Sequence, residues 1–374
     1  MVLTACNATS TKEDNVNTQE LAKGSYGYDL NFLKENEVEV VELFAKDFSS
    51  RVLVAPQWQG RVMTSTSSHL SGKSYGWINY ELIRSGKLDN QFNPFGGEER
   101  FWLGPEGGPF SLYFKEGVEQ SFENWKVPDF IDSRPFKILS QILTDVTYSG
   151  LAKLPNTSGN SLNVSVIRKV RLLTRSEIST NLRLKTLDGL EYVAYQSENT
   201  VTNDGSNPWT KEHGFLSIWM LCMFSPSPDG IVIIPVKDEN KSKHDILTDN
   251  YFGKVPDDRL KLIDGVVYFK VDGNLRSKIG ISPLSALSIA AGYDIANKEL
   301  TVVSYSGPDR SAPYVNSAWG DQKDPLNGDV INSYNDGPVD GKTMGPFYEI
   351  ETSSRAALLD PAEQMTQIQS VFHF

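Results

Sequence analysis

Short β-favouring runs recur along almost the whole chain, separated by glycine, proline and polar turns, and no long amphipathic helix interrupts them. The opening runs are Val38 to Leu43, Arg51 to Val54 and Gly60 to Thr66. Later ones are Phe110 to Phe114, Val164 to Leu173, Glu191 to Tyr195, Thr200 to Thr202, Phe215 to Phe224, Ile231 to Val236 and Val266 to Val271. Ala286 to Ile289, Leu300 to Ser304, Phe347 to Glu351 and Ile368 to Phe374 complete the set. Helical signal is confined to Asn79 to Arg84 and Pro135 to Leu143. Strands at this spacing predict an all-β, antiparallel sandwich rather than a βαβ sheet. A chain of 374 residues fits one large sandwich domain, expected over residues 36–374.

Charge narrows the partners. Lys and Arg number 36 against 47 Asp and Glu, a net charge of −11, which disfavours a nonspecific grip on nucleic acid. No run reaches the roughly 18 apolar residues of a membrane span. Leu3-Thr4-Ala5-Cys6 resembles a bacterial lipobox, and polar Asn7 to Gln19 reads as a tether within residues 1–35. The expectation is a cell-envelope protein whose contact with the membrane runs only through a lipid on Cys6. Cys222 lies in a strand that reads as core, so a disulfide to Cys6 is not expected.

Two segments carry the chemistry. Phe95 to Gly108 sets Glu98, Glu99, Arg100 and Trp102 between glycine turns. Arg is a fork of donors for vicinal hydroxyls, and an indole offers a face on which a sugar ring stacks. An edge strand between two β-turns, with a structural Arg–carboxylate pair beside a core Trp, accounts for the same residues. At the far end, Gly345 to Ser354 leads through Leu359-Asp360-Pro361-Ala362-Glu363 to a last strand ending in Phe374.

Together these two ends resemble the galactose mutarotase-like (aldose 1-epimerase-like) superfamily, with Ala362 at the glycine of its Leu-x-Pro-Gly-Glu turn. The resemblance implies a large two-sheet supersandwich with few short helices. It also implies a carbohydrate partner, no cofactor, and opening of a sugar ring by a glutamate base and a histidine acid. Glu351 matches that glutamate, and Glu349, two residues earlier and on the same strand face, is its rival. His213, at the head of the apolar strand to Phe224, is the expected acid. Expected sugar-binding residues are Arg100, Trp102, Glu98, Glu99, Trp77, Trp219, Trp319 and Asp336. The histidine that follows the superfamily's glycine pair has no counterpart here, where Glu98, Glu99 and Arg100 stand.

No metal site is expected. Pro325 to Pro338 is rich in oxygen donors, but Asn, Asp and Gly also build turns, and the spacing fits no EF-hand loop. Three functions remain open: an epimerase-like enzyme, a noncatalytic glycan-binding lipoprotein with the same cleft, and an envelope protein with no sugar site.

Overall fold

A computed structural model describes residues 21–237, 242–341 and 343–374. The lipobox-like segment at Cys6 and most of its tether lie outside the described residues. In chain order the strands begin β1 (Val41–Phe44), β2 (Arg51–Ala55), β3 (Arg61–Thr66), β4 (Arg100–Gly104), β5 (Lys137–Gln141), β6 (Asp145–Pro155) and β7 (Ser161–Leu172). They continue with β8 (Val193–Asn203), β9 (Ser217–Phe224), β10 (Gly230–Pro235), β11 (Leu247–Thr248), β12 (Leu260–Ile263), β13 (Val266–Lys270) and β14 (Ser277–Ile281). The last are β15 (Ile289–Asp294), β16 (Glu299–Tyr305), β17 (Ile331–Asn335), β18 (Tyr348–Ser353) and β19 (Gln364–His373).

These strands form two facing sheets and a small flanking one. The ten-stranded sheet has the order β12-β13-β10-β15-β16-β19-β8-β7-β6-β5, and the six-stranded sheet β11-β14-β17-β18-β9-β4. Strands β1 to β3 make the third sheet. The sandwich is all-β and antiparallel, as the spacing of the β-favouring runs requires. Its core lies between the two large sheets: Ile279, Ile331, Ile350, Met220 and Cys222 from one meet Val166, Val170, Tyr195, Val303 and Val371 from the other.

The helices are short, and their positions depart from expectation. Tyr26–Glu35, expected in the tether, is a helix, α1, whose N-cap Ser25 accepts from Tyr28 N. It buries Tyr26, Leu30, Phe32 and Leu33 against Leu53, Trp58, Met63 and Phe95, so the folded region begins well before residue 36. Tyr80–Ser85 forms α2, within one residue of the helical signal over Asn79 to Arg84, and Asn79 is its N-cap. Asp129–Asp132 and Lys243–Ile246 are single turns, and Arg175–Leu182 is a helix closed by a Thr174/Glu177 capping box.

Lys137 to Gln141, within the expected second helix, is instead the edge strand β5, because its pairing with β6 decides the backbone. Phe110 to Phe114 joins no strand. Glu191 to Tyr195 and Thr200 to Thr202 fall into a single strand, β8. Ala362, at the glycine of the closing turn, adopts φ 65°, the left-handed conformation that favours glycine.

Candidate active site

Alternation along paired strands decides which side chains meet. Across the six-stranded sheet, Lys278 on β14 pairs with Tyr334 on β17, Tyr334 with Glu349 on β18, and Glu349 with Met223 on β9. Two residues along, Asn332, Glu351, Leu221 and Arg100 form the next row, and Trp219 and Trp102 the one after. All of these share the face turned away from the ten-stranded sheet. The intervening residues, Cys222, Thr352 and Glu99, turn inward, where Gln369 of β19 meets all three.

The central group on the outer face is Glu351, which is fully buried. Its Oε2 accepts from Trp219 Nε1 at 2.9 Å and from Lys278 Nζ at 2.9 Å. Its Oε1 has no hydrogen-bond partner among the described residues. Lys278 Nζ stands 5.0 Å from the centroid of the Trp219 ring and 5.7 Å from that of Tyr251. Burial works against the ammonium charge, but Glu351 and Glu106 outweigh it and hold the Lys278 pKa above its ordinary value.

Beside this set, Arg100 Nη2 donates to Glu349 Oε1, and the Arg100 guanidinium lies 4.8 Å from the Trp102 ring centroid. Arg100 Nε and Nη1 find no acceptor among the described residues, nor does Trp102 Nε1. Burial pushes the Glu349 carboxyl up to about 7, with Arg100 opposing and Glu351 adding to the rise. Two carboxylates on one strand face thus have different surroundings: Glu351 is held by a cation and an indole, while Glu349 leans on one arginine.

A loop brings in a third carboxyl, which the sequence reading did not single out. Glu106 sits in Gly104-Pro105-Glu106-Gly107-Gly108, just beyond β4, and its backbone N–H donates to Ser317 Oγ at 3.3 Å. A Cβ on Gly107 would stand 2.3 Å from the carbonyl oxygen of Ala318, so glycine lets this loop lie against the one carrying Trp319. Burial pushes the Glu106 carboxyl up to about 7; Lys278 pulls it down, Glu351 pushes it up, and the indoles of Trp319 and Trp125 pull it down.

The candidates named from sequence are therefore divided. Arg100, Trp102, Trp219, Glu349 and Glu351 converge on one face. Trp319 stands at the rim, 37% exposed and stacked on Trp125 with ring centroids 6.1 Å apart. Trp77 packs on Met223, Tyr334 and Phe347 at the neighbouring edge of that face. Asp336 is buried there, accepting from Tyr334 Oη at 2.8 Å and Gly345 N at 3.1 Å, which fixes the loop before β18.

Trp102 is not an open stacking platform, because Phe92, Tyr113 and Trp219 enclose its ring. Glu98 and Glu99 are fully buried away from this face. Glu99 pairs with Arg168 at 2.7 Å and accepts from Gln369, while Glu98 holds His373 Nε2 at 2.7 Å and Ser65 Oγ at 2.9 Å. These are structural pairs, and for Glu99 β-alternation is the reason: Arg100 and Trp102 take the outer face, leaving Glu99 and Phe101 to the inner one.

His213 is not brought to Glu351. It lies on an exposed turn with Nδ1 3.2 Å from Thr210 Oγ1, eight residues before Leu221, the strand neighbour of Glu351. The side chain that β9 sends to Glu351 is Trp219. A surface hollow of about 300 Å³ next to that turn is lined by Trp209, Glu212, Asp360 and Glu363 among others, and touches none of the buried cluster. Lys278, like Glu106, escaped the sequence reading: a single lysine in Ser-Lys-Ile-Gly-Ile carries no motif, and only register places it beside Glu351.

Residues 24–374 match the family model described as a family of unknown function, DUF6786. The chain belongs to that family. No curated protein matches it. Among solved structures it is similar to the Slr1438 protein from Synechocystis sp. PCC 6803, with 12% identity, 90% of this chain and 96% of the other covered, and a TM-score of 0.55. A candidate aldose 1-epimerase from Escherichia coli K12 is 10% identical, with 90% and 99% covered and a TM-score of 0.55. A galactose mutarotase-like protein from Lactobacillus casei ATCC 334 is 10% identical, with 90% and 100% covered and a TM-score of 0.49. At these identities the likeness is one of fold, and the fold is the mutarotase-like sandwich.

Proposed function

We propose that this protein acts on carbohydrate, opening and reclosing an aldose ring by general acid and base catalysis at the outer face of the six-stranded sheet. The observation that carries the reading is Glu351: Trp219 and Lys278 hold Oε2, and Oε1 is left without a partner among the described residues. A glutamate so oriented can take the proton of an anomeric hydroxyl while a second group protonates the ring oxygen. The C1–O5 bond then breaks, the open aldehyde turns, and reclosure from the other face gives the second anomer. Lys278 and Trp219 fix the Glu351 side chain, and Trp319 at the rim offers a face for the pyranose.

Glu351 and Arg100 are buried, so a substrate reaches them only after side chains over this face give way. The test is NMR of freshly dissolved α-anomers of neutral hexoses and hexuronic acids. Faster anomer exchange in the presence of the protein supports the enzyme, and a panel showing neither exchange nor binding overturns any sugar function.

A second reading is glycan binding without turnover. It is favoured by Trp219, because an indole, which cannot transfer a proton at neutral pH, fills the place beside Glu351 where an acid from β9 would stand. Binding without exchange in the same panel selects it. Anchoring to the envelope through Cys6 belongs to both readings, supported by Leu3-Thr4-Ala5-Cys6; mass spectrometry of detergent-extracted protein for a diacylglyceryl cysteine tests it.

A further inference from the structure

We infer that Glu106 is the proton donor to the ring oxygen, in the place the missing histidine leaves open. The inference rests on the acid and base reading above and names a residue that this reading does not require. Three observations on geometry carry it. Glu106 continues the spacing by two of Arg100, Trp102 and Gly104 just beyond β4, at the end of the row that carries the outer face, and the charges of Lys278 and Glu351 act on it. Its loop is fixed at both ends of the residue: Glu106 N donates to Ser317 Oγ, and Ser111 Oγ donates to Glu106 O. Its loop lies against the one carrying Trp319, where a Cβ on Gly107 would stand 2.3 Å from the Ala318 carbonyl oxygen, and Trp319 stacks on Trp125. A ring resting on Trp319 therefore lies between a carboxyl on the loop and a carboxylate on the sheet, the arrangement that removing one proton and delivering another requires.

The two carboxyls differ in the direction that chemistry needs. Burial moves Glu106 up to about 7, so at neutral pH a large fraction carries its proton. Glu351 keeps Lys278 and Trp219 on Oε2, which aims Oε1 as the acceptor. In the step itself Glu351 takes the hydrogen of O1 and the O1 electron pair forms the C1=O1 double bond. The C1–O5 pair passes to O5, and the Glu106 proton bonds to O5. The reverse transfers restore both groups on reclosure, so no proton is gained or lost over a cycle.

The experiment measures anomer-exchange rates from pH 5 to 9 for the wild type, Glu106→Gln, Glu106→Asp and Glu351→Gln, on whichever α-sugar of the panel the wild type turns over. Urea midpoints confirm that each variant is folded. The expected results are a fall of roughly 10² to 10⁴ for Glu106→Gln, partial recovery in Glu106→Asp, and loss of the wild-type decline above about pH 7 in Glu106→Gln. A Glu106→Gln rate within tenfold of wild type, with Glu351→Gln inactive, overturns the assignment of Glu106 and leaves the site reading intact. Wild-type rates in both variants, or no exchange by the wild type on any sugar, overturn both.

Discussion

Two buried arginine–glutamate pairs on neighbouring residues of the chain are built to different standards. In the inner pair, Arg168 donates from Nε to Gly60 O at 3.0 Å, from Nη1 to Asn199 Oδ1 at 2.5 Å and from Nη2 to Glu99 Oε1 at 2.7 Å. Gln369 takes the other Glu99 oxygen at 2.9 Å. In the outer pair, Arg100 uses one nitrogen on Glu349 and leaves Nε and Nη1 without acceptors among the described residues. Buried polar groups are normally paired, since an unpaired one costs about 1–3 kcal/mol. The inner pair reads as structure, and the outer as a surface prepared for hydrogen-bonding groups that the chain does not supply.

The comparison is broken most forcefully from the inner side. Arg168→Met strands Glu99 as a buried charge and should lower stability by about 3–5 kcal/mol, read from urea denaturation. Arg100→Met should cost less in the same series, because Glu349 already titrates near 7 and takes up a proton when its cation is removed. Equal losses would dissolve the distinction between the pairs.

The next prediction uses pH. The Glu106 carboxyl titrates near 7 in the folded protein against 4.5 ordinarily, so the folded chain binds more protons than the unfolded one between those values. Its contribution to stability is present below the unfolded value and is lost as pH rises through about 7. Glu106→Gln removes that loss, so the stability of the variant relative to wild type should rise from pH 5 to pH 8; a flat difference contradicts the burial of this carboxyl. The smallest effect belongs to His213→Ala. An exposed turn residue should shift stability by less than about 0.5 kcal/mol and leave anomer exchange unchanged.

What the sequence revealed follows from how local each signal is. The sandwich was legible because β-branched and aromatic runs such as Phe215 to Phe224 repeat the strand signal many times, so single errors do not change the architecture. Polar strands were not legible. Ser277–Ile281 and Ile331–Asn335 carry Lys, Gly, Asn and Ser that read as turn, and only pairing with β18 makes them strands. The pairing of Glu349 and Glu351 on one strand face is legible because spacing by two is local. The nearness of Lys278 to Glu351 is not, because it is a matter of register between distant segments. Charge beside glycine suggests a surface for Glu98 and Glu99, whereas both are buried and alternation from Arg100 turns Glu99 inward.

A crystal structure with a bound sugar tests the site most directly. The account predicts the anomeric oxygen about 2.6–3.2 Å from Glu351 Oε1, with the ring between Trp319 and the six-stranded sheet. A sugar lodged instead in the hollow beside Trp209, with Glu351, Lys278 and Arg100 untouched, would contradict it.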